Sequence, residues 1–111
     1  MKVKPRPPLE NMYAEINCLN PTDISSHKIW DDTKALIQRK ASHLRRTHPD
    51  LDKSEIHLKA NSKRAYARLI LHDSKHRQME AHVEDRDLNK AVSSCFAKAV
   101  RLLDKPKHLQ H

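Results

Sequence analysis

The stretch HLRRTHPDLDKSE, residues 43–55, lies near the middle of the chain and joins two amphipathic segments. A proline disfavours helical geometry at the residue before it, so Pro49 predicts that an upstream helix ends near Thr47. The triplet His48-Pro49-Asp50 therefore has two interpretations. It is either a chemical signature that a loop displays, or only a means of ending a helix.

The segment before the triplet has the residue spacing of a helix. Asp31 and Asp32 fall in its first turn, and Arg45 and Arg46 fall in its last, where each charge suits the helix dipole. The residues that recur at intervals of three and four are Ile29, Trp30, Thr33, Leu36, Ile37, Lys40, Ala41 and Leu44. The opposite face is basic.

Similar spacing predicts helices elsewhere in the chain. We expect a short helix over residues 9–19, a long helix over residues 54–71, a short one that follows Asp73, and a strongly amphipathic one over residues 87–104. The stripe of the long helix is Leu58, Ser62, Ala65, Tyr66, Leu69 and Ile70. The chain contains no glycine, which tight hairpin turns usually require, so the predicted fold is all-α with about five helices.

Composition limits the class of protein. The chain has 111 residues, enough for one domain, with 37% hydrophobic and 32% charged residues and a mean hydropathy of -0.88. Its formal net charge of +8 favours an acidic partner, which is nucleic acid, an anionic membrane surface or an acidic protein face.

The cysteines and the hydropathy pattern predict a cytoplasmic protein. Cys18 and Cys95 are far apart and form no CxxC motif, which fits reduced thiols better than a disulfide framework. The basic, proline-rich residues 1–9 lack the apolar core of a signal peptide and are expected to form a flexible arm. No apolar run is long enough to span a membrane, so no membrane association is expected.

Catalysis and metal binding find little support in the sequence. His72 and His76 are four residues apart, as on one face of a helix, but no third ligand is implied. A phosphate loop needs glycine, and no nucleophile and base fall at a recognisable spacing. We therefore expect no enzyme, no cofactor and no metal.

Several basic groups favour a nucleic-acid partner. The candidates for phosphate contacts are the arm, the doublets Arg39-Lys40, Arg45-Arg46 and Lys63-Arg64, and the basic C-terminal tail. No helix-turn-helix or zinc-finger pattern accompanies them, and each doublet is equally compatible with a solvated helix face.

The order of the elements resembles the J-domain of DnaJ-type co-chaperones. YAEINCL (residues 13–19) corresponds to the first helix of that family, and KALIQRKASHLRRTHPD (residues 34–50) to its basic second helix and His-Pro-Asp loop. NSKRAYARLILHDSKHRQME (residues 61–80) corresponds to the third helix, with its Ala-Tyr pair, and the start of the fourth. The resemblance covers residues 10–83.

The resemblance implies an antiparallel helical hairpin and a function without chemistry. A DnaK-type chaperone would bind this domain and hydrolyse ATP faster. His48, Pro49 and Asp50 would form the chaperone-binding loop, and Arg39, Lys40, Arg45 and Arg46 the basic docking face. Residues 84–111, a C-terminal helix and basic tail, lie outside the resemblance. Two alternatives stay open, a small basic nucleic-acid-binding accessory or regulatory protein, and an adaptor that uses residues 87–104.

Overall fold

The fold combines one sheet with two helices. A computed structural model describes residues 12–17, 30–61, 63–74 and 78–104. The elements in chain order are β1 Met12–Asn17, α1 Asp31–Thr47, β2 Leu51–Ala60, β3 Ala65–Asp73, β4 Gln78–Asp85 and α2 Leu88–Leu103. The strands form an antiparallel sheet in the order β1-β2-β3-β4, which makes the architecture α+β.

Strand β3 shows why this part of the chain forms a sheet. Ala65, Ala67, Leu69 and Leu71 are buried, whereas the residues between them are exposed or half-buried. Successive side chains of a strand point to opposite faces, so this alternation buries one face of the sheet and leaves the other open to solvent. The register continues the buried face across the sheet, where Leu69 lies between Ile56 of β2 and Ala81 of β4.

Both helices cover the buried face. Helix α1 buries Thr33, Leu36, Ile37, Ala41 and Leu44, and helix α2 buries Leu88, Ala91, Val92, Cys95, Phe96 and Ala99. The apolar members of these sets join the sheet residues in one hydrophobic cluster. Helix α2 packs on β3 and β4 and also contacts α1.

Cys95 belongs to this core. Its thiol donates a hydrogen bond to the carbonyl oxygen of Ala81 at 3.3 Å, which joins α2 to β4. Burial raises the pKa of the Cys95 thiol to about 11. The group is therefore a neutral packing element at physiological pH, since a thiol reacts as its thiolate. Cys18 lies outside the described residues.

The all-α prediction is wrong, and with it the J-domain-like helical hairpin. The segment predicted as a long helix over residues 54–71 forms β2, a turn and β3, and residues 12–17 and 78–85 are strands instead of short helices. Because every second residue of a strand can be buried, some buried residues are four apart, as they are on one face of a helix. Ala65 and Leu69 therefore fit a helix as well as a strand. The complete alternation from Ala65 to Leu71 has a period of two.

The inference from missing glycine fails at the β2–β3 turn. There the Asn61 side-chain oxygen accepts hydrogen bonds from the backbone N–H groups of Lys63, at 2.8 Å, and Arg64, at 2.9 Å. The Asn61 N–H also donates to the Arg64 carbonyl oxygen at 2.9 Å. An asparagine can organise a turn through its own side chain, so this hairpin forms without glycine.

The two helices with clear amphipathic stripes are observed where they were predicted. Helix α1 ends at Thr47, as predicted, and α2 extends from Leu88 to Leu103, within the predicted range of residues 87–104. The predicted arm at residues 1–9 and the tail after Asp104 lie outside the described residues.

Among the described residues, no helix is both long enough and apolar enough to cross a membrane.

The one-sided core predicts unequal effects of two substitutions in β3. Leu69→Ala should lower the free energy of unfolding by about 3 kcal/mol, because it removes a fully buried side chain and leaves a cavity. Ile70→Ala, on the half-exposed opposite face, should cost less than half as much. Urea unfolding followed by circular dichroism measures both, and equal losses would contradict the one-sided core.

Candidate functional site

Two side-chain clusters join α1 to α2, one near each end of the pair. Near their N-termini, the buried Thr33 hydroxyl donates to the Asn89 side-chain oxygen at 2.5 Å, and the Asn89 amide donates to Asp32 at 3.1 Å. Near their C-termini, His48 Nε2 lies 3.0 Å from an Asp104 carboxylate oxygen. The two helices therefore run parallel, with a groove between them on the side away from the sheet.

This helix groove has a volume of about 570 Å³. Its walls are Asp32, Ala35, Leu36 and Arg39 of α1, and Asn89, Lys90, Ser93 and Ser94 of α2, with Asp85 at one end. One cation therefore lies on each wall, and the α2 wall also carries two hydroxyl groups. Both carboxylates lie toward the helix N-termini, where Asp32 accepts from Asn89 and Asp85 accepts from the Asp87 backbone N–H.

The outer surfaces of α1 from Thr33 onward and of α2, here called the helix layer, carry charge of one sign. Between Thr33 and Thr47 of α1, and throughout α2, there is no carboxylate. The cationic residues in these segments are Lys34, Arg39, Lys40, Arg45, Arg46, Lys90, Lys98 and Arg101. All are exposed except Lys34 and Lys40, which are half-buried. The layer is therefore strongly electropositive.

Most of these cations are not engaged in ion pairs within the described residues. Lys34, Arg39, Lys40, Arg46, Lys90 and Arg101 form no ion pair with any of the residues that the structure describes. Lys98 donates to the backbone carbonyl of His82 at 3.2 Å, which leaves its charge uncompensated. Neighbouring like charges repel, so an anionic ligand would stabilise this surface.

The open face of the sheet differs, because most of its charges compensate one another and Lys59 is the exception among its described lysines and arginines. Arg64 pairs with Glu84, Arg68 with Glu80, and Lys53 with Glu55. The hydrogen bond from Arg68 holds the pKa of the Glu80 carboxyl below its ordinary value, so this carboxylate stays ionised. Positive charge is thus concentrated on one side of the molecule.

The His-Pro-Asp triplet forms the turn from α1 into β2. The Leu51 N–H donates to the His48 carbonyl oxygen at 3.3 Å, with Pro49 at the second turn position, which proline favours. Asp50 accepts a backbone hydrogen bond from Ser74 through its carbonyl oxygen at 2.9 Å. The triplet therefore ends a helix and starts a strand, and it does not connect two helices.

Within that turn the three side chains differ in exposure. Pro49 and Asp50 are exposed. The His48 side chain is only 16% exposed, and its ring lies between the Thr47 hydroxyl, 2.9 Å from Nδ1, and Asp104. His48 is accordingly a structural link between the ends of α1 and α2, whereas Pro49 and Asp50 remain accessible.

The predicted basic docking face falls within the helix layer, since Arg39, Lys40, Arg45 and Arg46 all lie on α1. The doublet Lys63-Arg64 lies apart from them, in the β2–β3 turn. Sequence reasoning missed the contribution of α2, which is Lys90, Ser93, Ser94 and Arg101. The amphipathic pattern of residues 87–104 could have indicated this polar surface, because its polar residues recur at helical spacing between the buried ones.

The histidine pair His72 and His76, for which the sequence implies no third ligand, is only partly described. His72 lies in strand β3, and His76 is outside the described residues. Within the described ranges, no three side chains of His, Cys, Asp or Glu come together.

Comparisons with known proteins leave the family of this chain open. No family model, no curated protein and no solved structure matches it. Function therefore has to be inferred from the residues and their geometry.

The groove depends on the hydrogen bond between Thr33 and Asn89. Thr33→Val keeps the shape of the side chain but leaves the Asn89 oxygen without its donor, so it should lower the free energy of unfolding by about 1 kcal/mol. Thr47→Val is the control for loss of a threonine hydroxyl, because the exposed Thr47 hydroxyl donates to the His43 carbonyl oxygen of its own helix and reaches α2 only through the His48 ring. Thermal or urea unfolding compares the two, and a larger loss from Thr47→Val would contradict this role.

Proposed function

We propose that this protein binds nucleic acid through the helix layer, as a small accessory or regulatory factor. The observation that carries the proposal is the distribution of charge. Eight cationic side chains and no carboxylate occupy α1 from Thr33 onward and α2, whereas the carboxylates of the open sheet face are paired. Nucleic acid is the polyanion that a broad, uncompensated cationic surface suits best.

The residues of the helix layer favour phosphate contacts over contacts with bases. Arg39 and Lys90 lie on opposite walls of the helix groove, and Ser93 and Ser94 add hydroxyl donors. Backbone phosphates are bound by just these groups, namely cationic side chains and hydroxyls. Single-stranded nucleic acid is usually held by stacking on aromatic rings as well.

Such aromatic rings are scarce on this side of the described structure. Phe96 of α2 is buried, Trp30 is half-buried before α1, and the exposed Tyr66 belongs to the opposite face of the sheet. We therefore expect the helix layer to contact the sugar–phosphate backbone and to make few base-specific contacts.

The helix layer is long enough for several such contacts. Seventeen residues of α1 span about 25 Å at 1.5 Å per residue. Phosphates along one strand of a double helix recur about every 3.4 Å of axis, so the layer extends over roughly seven of them. Several simultaneous contacts would make binding steeply dependent on salt.

A pair of charge-matched variants tests the proposal. Arg39→Gln combined with Lys90→Gln should weaken binding and reduce the slope of log affinity against log salt by about 2, one for each lost phosphate contact. Fluorescence anisotropy with a labelled RNA or DNA duplex, at several salt concentrations, measures both quantities.

The control removes the same net charge from the other face. Lys53→Gln combined with Arg64→Gln should leave affinity and slope nearly unchanged, because both groups are already paired with carboxylates. Equal losses in the two double variants would show that net charge alone matters, and would contradict an interface at the helix layer.

A co-chaperone function is the alternative, and its support is the exposure of Pro49 and Asp50 close to Arg45 and Arg46. The helical hairpin that accompanied this prediction is absent from the described fold, because β2 follows the triplet. A DnaK-type chaperone would have to recognise a helix-to-strand turn. The alternative involves no catalysis by this chain, and neither does nucleic-acid binding.

The alternative has its own test in single-turnover ATP hydrolysis by a purified DnaK-type chaperone. It predicts faster hydrolysis with the wild type and loss of that stimulation in Asp50→Asn. Asp52→Asn, which changes the neighbouring exposed carboxylate of β2, is the matched control and should keep full stimulation. Unchanged hydrolysis with the wild type would remove the alternative.

A cytoplasmic location stays a prediction that accompanies both functions. It is supported by the buried, unpaired thiol of Cys95, which is typical of a reducing compartment. Nucleic acid and DnaK-type chaperones are both found there.

A further inference from the structure

A second concave site lies on the open face of the sheet, away from the helix layer. It is a shallow pocket of about 520 Å³ over β2, β3 and β4. Its side-chain walls are His57, Lys59, Tyr66, Arg68, His82 and Glu84. The volume falls in the range of small-molecule sites.

Tyr66 is the aromatic side of this pocket. It is 43% exposed, and among the side chains that the structure describes, which in β1 include only that of Glu15, it is the one large hydrophobic group left exposed. The register places it between Lys59 of β2 and Glu84 of β4, with His57, Arg68 and His82 in the adjacent row. A ring in this position offers one face to a flat ligand, and the two imidazoles extend the surface.

The charges around the pocket favour an anionic group at one side. Arg64 pairs with Glu84, and Arg68 donates to Glu80 at 2.6 Å, so both carboxylates are compensated. Lys59 is exposed and forms no ion pair with the described residues. An anion beside Tyr66 would therefore meet a free ammonium group.

His57 supplies a polar group without a partner. Its Nδ1 lies 3.7 Å from a Glu15 carboxylate oxygen, but its Nε2 is buried and makes no hydrogen bond. Buried polar atoms are nearly always hydrogen-bonded, so a ligand that enters the pocket and reaches this nitrogen would supply the hydrogen bond that it lacks.

We propose that this pocket binds a single nucleotide unit, with the base against the Tyr66 ring and the phosphate at Lys59. A base is flat, has polar edges for His57, and stacks on aromatic rings whatever its sequence. The unit comes either from a free mononucleotide or from an unpaired nucleotide of a strand. The site does not depend on the helix layer, so its failure and that of the proposed function are distinguishable.

The experiment is an NMR titration of the ¹⁵N-labelled full chain with adenosine 5′-monophosphate, adenosine and ribose 5-phosphate. Adenosine 5′-monophosphate should shift the amide signals of Leu58, Ala67 and Val83, which line the floor of the pocket. Adenosine should bind about threefold more weakly, which is the effect of one exposed ionic contact. Ribose 5-phosphate, which lacks the base, should cause no comparable shifts.

Variants assign the binding to Tyr66 and Lys59. Tyr66→Val keeps strand propensity but removes the ring, and should weaken binding roughly tenfold. Tyr66→Phe keeps the ring and should bind normally. Lys59→Gln should make the monophosphate bind no better than adenosine. Arg39→Gln with Lys90→Gln, in the helix layer, should leave these affinities unchanged.

A second arm distinguishes the two sources of the nucleotide. A four-residue oligoadenylate that binds more tightly than the monophosphate, and depends on Tyr66, supports a strand as the source. Binding of the monophosphate alone supports a free nucleotide. No shift at the pocket with any probe, shifts unaffected by Tyr66→Val, or equal binding of ribose 5-phosphate would each overturn the proposal.

Discussion

Burial of a single face of the sheet is the constraint on which the rest of this structure depends. The alternating small and branched residues of β3, from Ala65 to Leu71, need an apolar cover on one side only. Helices α1 and α2 provide that cover, which places both helices on the same side and next to each other. The groove between them and the openness of the other face follow from this arrangement.

The same constraint separates the charges of the molecule. A helix that covers a sheet turns its polar side outward, so the cations of α1 and α2 form one continuous electropositive layer. On the open face, neighbouring strands bring side chains close enough to pair, as Arg68 and Glu80 do. Within the described residues, positive charge is therefore gathered on one side of the protein. The interpretation of the layer as a phosphate-binding surface depends on this separation.

The His-Pro-Asp triplet shows how one local pattern fits different surroundings. Pro49 ends α1 at Thr47, as the sequence predicted, and the backbone then turns directly into β2. Nothing within the triplet indicates which element follows it. His48 contacts Asp104, 56 residues away, so its role as a link between helix ends depends on the tertiary structure. The DnaK-type function predicted from the motif keeps only the exposed Pro49 and Asp50 as support.

The sequence by itself determined the two helices, because their stripes are long, their charges suit the helix dipole and Pro49 ends the first one. It also determined that a basic surface exists, since Arg39, Lys40, Arg45 and Arg46 share one helix. It did not determine the strands, because Ala65 and Leu69 fit both periods and the turn at Asn61 needs no glycine. Only the tertiary structure decided which cations are compensated, that Lys90 and Arg39 line one groove, and that Tyr66 is exposed on the face opposite the helices. Each of these depends on contacts between residues far apart in the chain, which the spacing of neighbours along the sequence does not encode.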